Sequence, residues 1–297
     1  MGKTNFYDEI SGNKFKSSLL IGIVLVFIIL FGYFIGWLYG SPIFGLIFSG
    51  FIAVIYILIG YYSGANIILK ASGAKEVEKK DYPYLHNTVH GLSIAAGIPT
   101  PKIYVIQEDS PNAFATGRDY KNSSVTVTTG LLNLMNRQEL EGVLAHEISH
   151  IKNYDVKIMM LTTVLVGSLV LISGIFFRMS LFGGNDRKGN GHVIILLIAL
   201  ALAILTPIIG ELIKLGVSRK REYLADANGA LLTRYPQGLA NALKKIARDP
   251  EPGIPGVNKA TANLWIENPL RGQKGIMNNL FSSHPPLEDR ISKLEGM

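Results

Sequence analysis

Ala145-His146-Glu147-Ile148-Ser149-His150 is the stretch on which the reading of this chain turns. His146 and His150 stand at i and i+4, which on an α-helix places both imidazoles on one face, a turn apart, with Glu147 beside them. Upstream, Asn136 followed by Glu139 has the pattern of a capping box, and Leu140, Val143 and Leu144 carry an apolar face toward the histidines. The segment therefore predicts a single helix presenting two metal-ligating nitrogens. Zinc bound by such a pair lowers the pKa of water to about 7, so that an adjacent carboxylate can take the proton as general base. The competing reading is a solvated helix face with two incidental histidines.

A catalytic zinc keeps three protein ligands and one open position, so a third ligand must come from elsewhere. Thiolates are excluded, because the chain contains no cysteine. The metzincin continuation needs glycine at 153 and histidine at 156, where this chain has Asn153 and Val156; the remaining downstream histidines are His192 and His284. Glu222 fits better. It follows His150 by 72 residues, of which 56, from Ile158 to Ile213, form an apolar hairpin, and the remaining 16 suit neighbouring helices of one zincin core. Asp226, at i+4 from Glu222, shares its helical face and can accept a hydrogen bond from a ligand imidazole. The alternative for this pair is a charged helix exterior beside Arg219 and Arg221. His86 and His90 form a rival i,i+4 pair, but they lack the intervening glutamate and lie on the polar side of a helix whose Leu85, Val89 and Leu92 turn inward.

The composition is 48% hydrophobic with a mean hydropathy of +0.28, high for a water-soluble globule. Leu19 to Tyr39 and Ile43 to Tyr62 are each close to the roughly 20 apolar residues that cross a bilayer, joined by the turn Gly40-Ser41-Pro42. Ile158 to Phe177 and Val193 to Ile213 form a second hairpin around the polar stretch Arg178 to His192, with Pro207 and Glu211 interrupting the end of the last run. A cleaved signal peptide is the rival for the first run, and the second span that follows at once argues against it. Lys3, Lys14 and Lys16 precede the first span, Lys70, Lys75, Lys79 and Lys80 follow the second, and the turn between carries no charge. By the same count, Lys152 and Lys157 with Lys214, Arg219, Lys220 and Arg221 outweigh Arg178, Arg187 and Lys188. The ends of both hairpins, and the metal site between them, are thus expected in the cytoplasm. The net charge of +7 falls on these flanks and not on a basic run with interleaved aromatics, so a nucleic-acid partner is not expected.

Between the hairpins, Tyr82 to Ala96 reads as a helix closed by Gly97 and Pro99, followed by strands at Lys102 to Gln107 and Ser124 to Thr129 separated by a turn-rich segment. Gln237 to Arg248 and Leu287 to Leu294 read as helices, while Asp249 to Ser283, rich in Pro, Gly and Asn, reads as a functional loop or lid. The expected fold is an α+β zincin-type metalloprotease domain, mostly helical, with four transmembrane helices in two hairpins. Its parts are a cytoplasmic N-terminal segment at 1–18, the first hairpin at 19–62, the first part of the protease domain at 63–157, the second hairpin at 158–213 and the second part of the domain at 214–297.

Several linked motifs give the chain a family likeness. The two-plus-two spans, Asn112-Ala113-Phe114-Ala115-Thr116-Gly117, the His146 to His150 motif, Ser218 to Asp226, and His284-Pro285-Pro286 with Arg290 together resemble the HtpX-type membrane zinc metalloproteases. These are a heat-shock quality-control branch of the gluzincins, which also include the CAAX-prenyl endoproteases. The resemblance implies one zinc per chain held by His146, His150 and Glu222, with Glu147 as base and Asp226 behind a ligand. It further implies that His284 and Arg290 steady the tetrahedral oxyanion. Backbone at Asn112 and Ala113 would pair with extended substrate. It implies a stress-response endopeptidase of the plasma (inner) membrane that cuts misfolded or damaged membrane proteins on the cytoplasmic side. The alternatives are a processing protease for prenylated or lipid-linked substrates and a non-catalytic zinc-binding membrane scaffold.

Overall fold

The computed structural model describes residues 6–166, 219–248, 264–266 and 285–297. The apolar N-terminal region forms a helical hairpin of α1 (Phe6–Leu38) and α2 (Pro42–Ala71), turned at Gly40, whose φ of 77° is open to glycine at no steric cost. Gly32 and Gly36 on α1 lie against Gly45 and Ser49 on α2. A Cβ at Gly32 would run into the Ser49 side chain, and one at Gly45 into the Gly32 carbonyl. The helices therefore meet backbone to backbone, the packing that small residues permit where lipid removes the hydrophobic drive between helices. Ser11–Trp37 and Pro42–Ala71 are long and apolar enough to cross a membrane. Leu30, Trp37, Phe44, Ile47 and Phe51 are exposed on them, as lipid-facing side chains are.

A four-stranded sheet follows, built from β1 (Lys75–Glu76), β2 (Lys102–Ile106), β3 (Ala113–Asp119) and β4 (Asn122–Thr128), with α3 (Pro83–Ala96) between β1 and β2. The strand order is β1-β2-β4-β3, with β2 and β4 parallel and the other pairs antiparallel. β3 corrects the sequence reading, which made its residues part of a turn-rich connection. Ala113, Phe114, Ala115 and Thr116 are all buried, so the strand is covered on both faces and lacks the polar-apolar alternation that marks a half-exposed one. The β3–β4 turn is tied by the Asp119 carboxylate, whose Oδ1 accepts N–H groups of Lys121 and Asn122 at 2.8 Å each.

The chain continues through α4 (Thr129–Leu134), α5 (Arg137–Lys152) and α6 (Asp155–Leu161), with a π-helical turn at Thr162–Val166, and then α7 (Arg219–Thr233), α8 (Pro236–Ala247) and α9 (Leu287–Glu295). The capping box of α5 forms as expected: Asn136 Oδ1 accepts the Glu139 N–H, and Glu139 Oε2 accepts the Asn136 N–H. Leu85, Val89 and Leu92 of α3 join Ile103, Val105, Val125 and Val127 of the sheet and Val143, Leu144 and Ile148 of α5 in one core. Ile158, Met160, Leu161 and Leu165, at the start of the predicted third span, are buried, and Met160, Leu161 and Leu165 pack with Leu20, Val24 and Ile68 of the hairpin. Residues 167–213, over which that span is expected to finish and the fourth to run, lie outside the described residues. Two membrane-length helices, where four were expected, are seen among those described.

Candidate metal centre

α5 presents His146, Glu147 and His150, and α7 crosses it with Glu222 and Asp226. The crossing is close because position 229 is glycine: a Cβ there would lie 3.1 Å from the His146 backbone nitrogen. One potential ligand atom from each of His146, His150 and Glu222 falls in a group whose members all lie within 4.8 Å of one another, and all three residues are buried. His146 Nε2 and His150 Nε2 are 3.1 Å apart; Glu222 Oε2 is 3.6 Å from the first and Oε1 is 3.4 Å from the second.

The hydrogen-bond roles around the imidazoles decide what this cluster fits. His146 Nδ1 lies 2.9 Å from Asp226 Oδ1, and His150 Nδ1 lies 2.9 Å from Asp155 Oδ2. Carboxylates only accept, so each Nδ1 carries the hydrogen and each neutral imidazole turns its Nε2 lone pair inward. Two lone pairs and a carboxylate then face one small space, an arrangement that calls for a cation or a proton. Four ligands placed tetrahedrally around zinc stand about 3.3–3.6 Å apart, given bonds of about 2.0–2.2 Å. The observed separations of 3.1 to 3.6 Å, with one Glu222 oxygen turned toward each histidine, are close to that spacing, so the residues fit a metal of this size. In the metal-free chain a proton takes the cation's place. Burial alone would lower the pKa of His146, but its contacts with Asp226 and Glu222 outweigh burial and raise it to about 9.

The surrounding charges are arranged to hold this geometry. Arg290, fully buried on α9, donates from Nε to Asp226 Oδ2 at 2.8 Å and from Nη2 to Asp226 Oδ1 at 2.7 Å, a bidentate pair. Burial pushes the Asp226 carboxyl up, and Arg290 together with His146 more than reverses that, holding it at about 2. Arg290 Nη1 lies 3.6 Å from Glu222 Oε2 and donates to the Ile266 carbonyl at 3.4 Å. Glu147 is buried beside the ligands, and burial raises its pKa.

His146, Glu147, His150, Glu222, Asp226 and Arg290 thus lie together in the structure. His284 lies outside the described residues. Asn112 is bonded to both the side chain and the backbone of Thr128: its N–H donates to Thr128 Oγ1 at 2.9 Å and its carbonyl accepts the Thr128 N–H at 3.0 Å. Ala113 turns its carbonyl to the outer edge of the sheet, where it accepts the Ile266 N–H at 2.9 Å next to a Phe114–Trp265 bridge. His86 and His90 are occupied separately, with Nε2 of the first 3.0 Å from the Val77 carbonyl and Nδ1 of the second 3.0 Å from Thr100 Oγ1. Asp155 was missed. Its signal was an acidic residue five positions after His150, directly before an apolar run.

Comparison with known proteins identifies the family. The model of peptidase family M48 matches residues 79–297. A protein named Protease HtpX homolog from Dictyoglomus thermophilum is 48% identical over 295 residues, covering 98% of this chain and 95% of the relative. Relatives of the same name are 45% identical in Dictyoglomus turgidum, covering 98% of this chain and 95% of the relative, and 43% identical in Lactobacillus acidophilus, covering 98% and 99%. Among solved structures, S. mikatae Ste24p matches with a TM-score of 0.48 at 23% identity, over 82% of this chain and 57% of that one. With the family's model and near full-length relatives in agreement, the chain belongs to peptidase family M48, a family of metalloendopeptidases.

Proposed function

We propose that this membrane metalloprotease is a zinc endopeptidase that cuts polypeptide close to the cytoplasmic face of the membrane. In this reading His146, His150 and Glu222 hold one zinc per chain. Bound zinc would supply Lewis acidity, drawing electron density from a carbonyl oxygen and acidifying water. Glu147 receives a proton at its carboxylate and later returns it to the leaving amine. A carboxylate whose pKa is raised by burial is better matched to that exchange than a solvated one. Asp226 and Asp155 hold the two imidazoles with their lone pairs inward. Arg290 fixes Asp226 and places positive charge 3.6 Å from Glu222, close to where negative charge develops. His284 is assigned the companion donor role by the resemblance alone. The Ala113 carbonyl, which in this structure accepts the Ile266 N–H, lies on the sheet edge where an extended substrate would pair in its place.

Lysines on both flanks of the α1–α2 hairpin, with none in its turn, support the cytoplasmic orientation in a plasma (inner) membrane. Membrane proteins that are misfolded or damaged are the substrate class this placement suits. The observation that carries the reading is the convergence of two inward Nε2 lone pairs and the buried Glu222 carboxylate on one small space. The test compares wild type with Glu147→Gln, purified in detergent and reloaded with zinc, for bound metal and for cleavage of casein. The expected outcome is about one zinc in each and cleavage by wild type alone. Equal cleavage by the two, or a wild type that holds no zinc, refutes the mechanism and leaves the scaffold alternative.

A further inference from the structure

The N-terminal turns of the membrane-length run of α1 reach the metal centre. Asn13, Ser17, Leu20 and Val24 make the buried stripe of α1, and Asn13 is 1% exposed. Its amide is used in full. Nδ2 donates to Asp155 Oδ1 at 2.7 Å and to the Asn153 carbonyl at 3.0 Å, while Oδ1 accepts from Arg221 Nη1 at 3.2 Å. The amide's orientation follows from these partners: the carboxylate and the carbonyl only accept, and the guanidinium only donates. Arg221 Nε stands 3.5 Å from the same Asp155 oxygen, and the opposite oxygen, Oδ2, holds His150 Nδ1.

The turn that carries Asp155 needs such a clasp. Tyr154, between α5 and α6, has φ of 62°, a left-handed conformation costly for a residue with a bulky side chain. Lys14, the next residue of α1, sets its Nζ 4.6 Å from the Tyr154 ring centroid. Two successive residues of the membrane helix thus grip the three residues, 153 to 155, whose conformation aims a carboxylate at His150.

We infer that Asn13 is a positioning residue of the metal site: through Asp155 it fixes His150, making the first membrane helix a structural part of the ligand set. The inference rests on the zinc reading above. Losing an outer partner of a ligand weakens metal binding by about 10–100-fold, and Asn13, one bond further out, belongs at the lower end, about tenfold.

The test uses the full chain in detergent. Zinc affinity is measured by competition with a chromophoric chelator, and ligand geometry by the visible spectrum of the cobalt(II)-loaded protein. Asn13→Leu is expected to weaken zinc about tenfold and to shift the cobalt bands. Asp155→Asn is expected to do at least as much, and Asn13→Leu added to Asp155→Asn to do nothing more. Ser17→Ala, on the same stripe but bonded only to its own helix backbone, should match wild type. Asn13→Ser, too short to reach Asp155, carries the same comparison should Asn13→Leu not fold. Additive losses in the double variant, equal losses in Ser17→Ala, or unchanged zinc affinity in Asn13→Leu each overturn the inference while leaving the zinc site standing. A wild type that takes up no metal removes the site reading, and this inference with it.

Discussion

Replacing Arg290 with methionine should damage the protein more than removing Arg290 and Asp226 together. In the native chain Asp226 is 3% exposed and receives three donors, two from Arg290 and one from His146 Nδ1. Arg290→Met leaves a buried carboxylate with one donor, and taking one partner from a buried ion pair costs about 3–5 kcal/mol. Arg290→Met combined with Asp226→Leu removes both charges of that pair, and such paired replacements are often close to neutral, so a loss below about 2 kcal/mol is expected. Zinc separates the two effects. The double variant regains stability but still lacks the acceptor that orients His146, so its zinc affinity should stay about 10–100-fold below wild type. Denaturant unfolding of the chelated proteins in detergent measures the first quantity, and chelator competition the second. The pair also sets an acid limit. Asp226 has a folded pKa of about 2 against an ordinary 3.8, so its contribution is present above 3.8 and is lost as pH falls through about 2. Arg290→Met should abolish that window, because burial unopposed by Arg290 drives the carboxyl upward. If the single variant is no less stable than the double, or keeps the acid dependence of wild type, the pair does not hold the site in the way described.

Zinc uptake near neutral pH should release close to one proton per metal, because His146 in the metal-free chain keeps its proton up to about pH 9; calorimetry in buffers of different ionisation enthalpy reads the number, and no release contradicts the site electrostatics. With its folded pKa above the ordinary 6.5, His146 stabilises the metal-free fold below 6.5 and loses that contribution as pH rises through about 9. Gly229→Val should push α7 off α5 at His146 and cost at least tenfold in zinc affinity, with Gly229→Ala intermediate; chelator competition measures both. Ile266→Pro removes the donor to the Ala113 carbonyl, and if substrate pairs there, KM for an extended peptide should fall with little change in kcat. A raised or unchanged KM places substrate elsewhere.

What the sequence made legible was chemistry written at short spacing. His146, Glu147 and His150 lie within one helical turn, Glu222 and Asp226 within another, and the capping box dates the start of α5 to Asn136. Such patterns survive because a helix converts spacing into direction without help from the rest of the fold. β3 was illegible for the opposite reason: its alanines and glycine suit a strand packed closely on both faces, a property of its neighbours and not of its own periodicity. Asp155 was hidden by the left-handed Tyr154, since no residue type there announces a positive φ.

Asn13 lies 142 residues from Asp155 and 208 from Arg221, so no local pattern could have joined them. Its placement changes how the molecule divides. The M48 match begins at residue 79, after both helices of the first hairpin, yet the acceptor that aims His150 is gripped by a side chain of α1. An anchor that served only to tether the domain would have no reason to bury an asparagine between a ligand's carboxylate and an arginine of the facing helix. Burying an amide costs free energy unless every one of its groups is bonded, and here each is. The inferred role of Asn13 would link membrane insertion of α1 to assembly of the metal site: a shift of this helix along its axis would pull on Asp155, and through it on the direction of His150 Nε2.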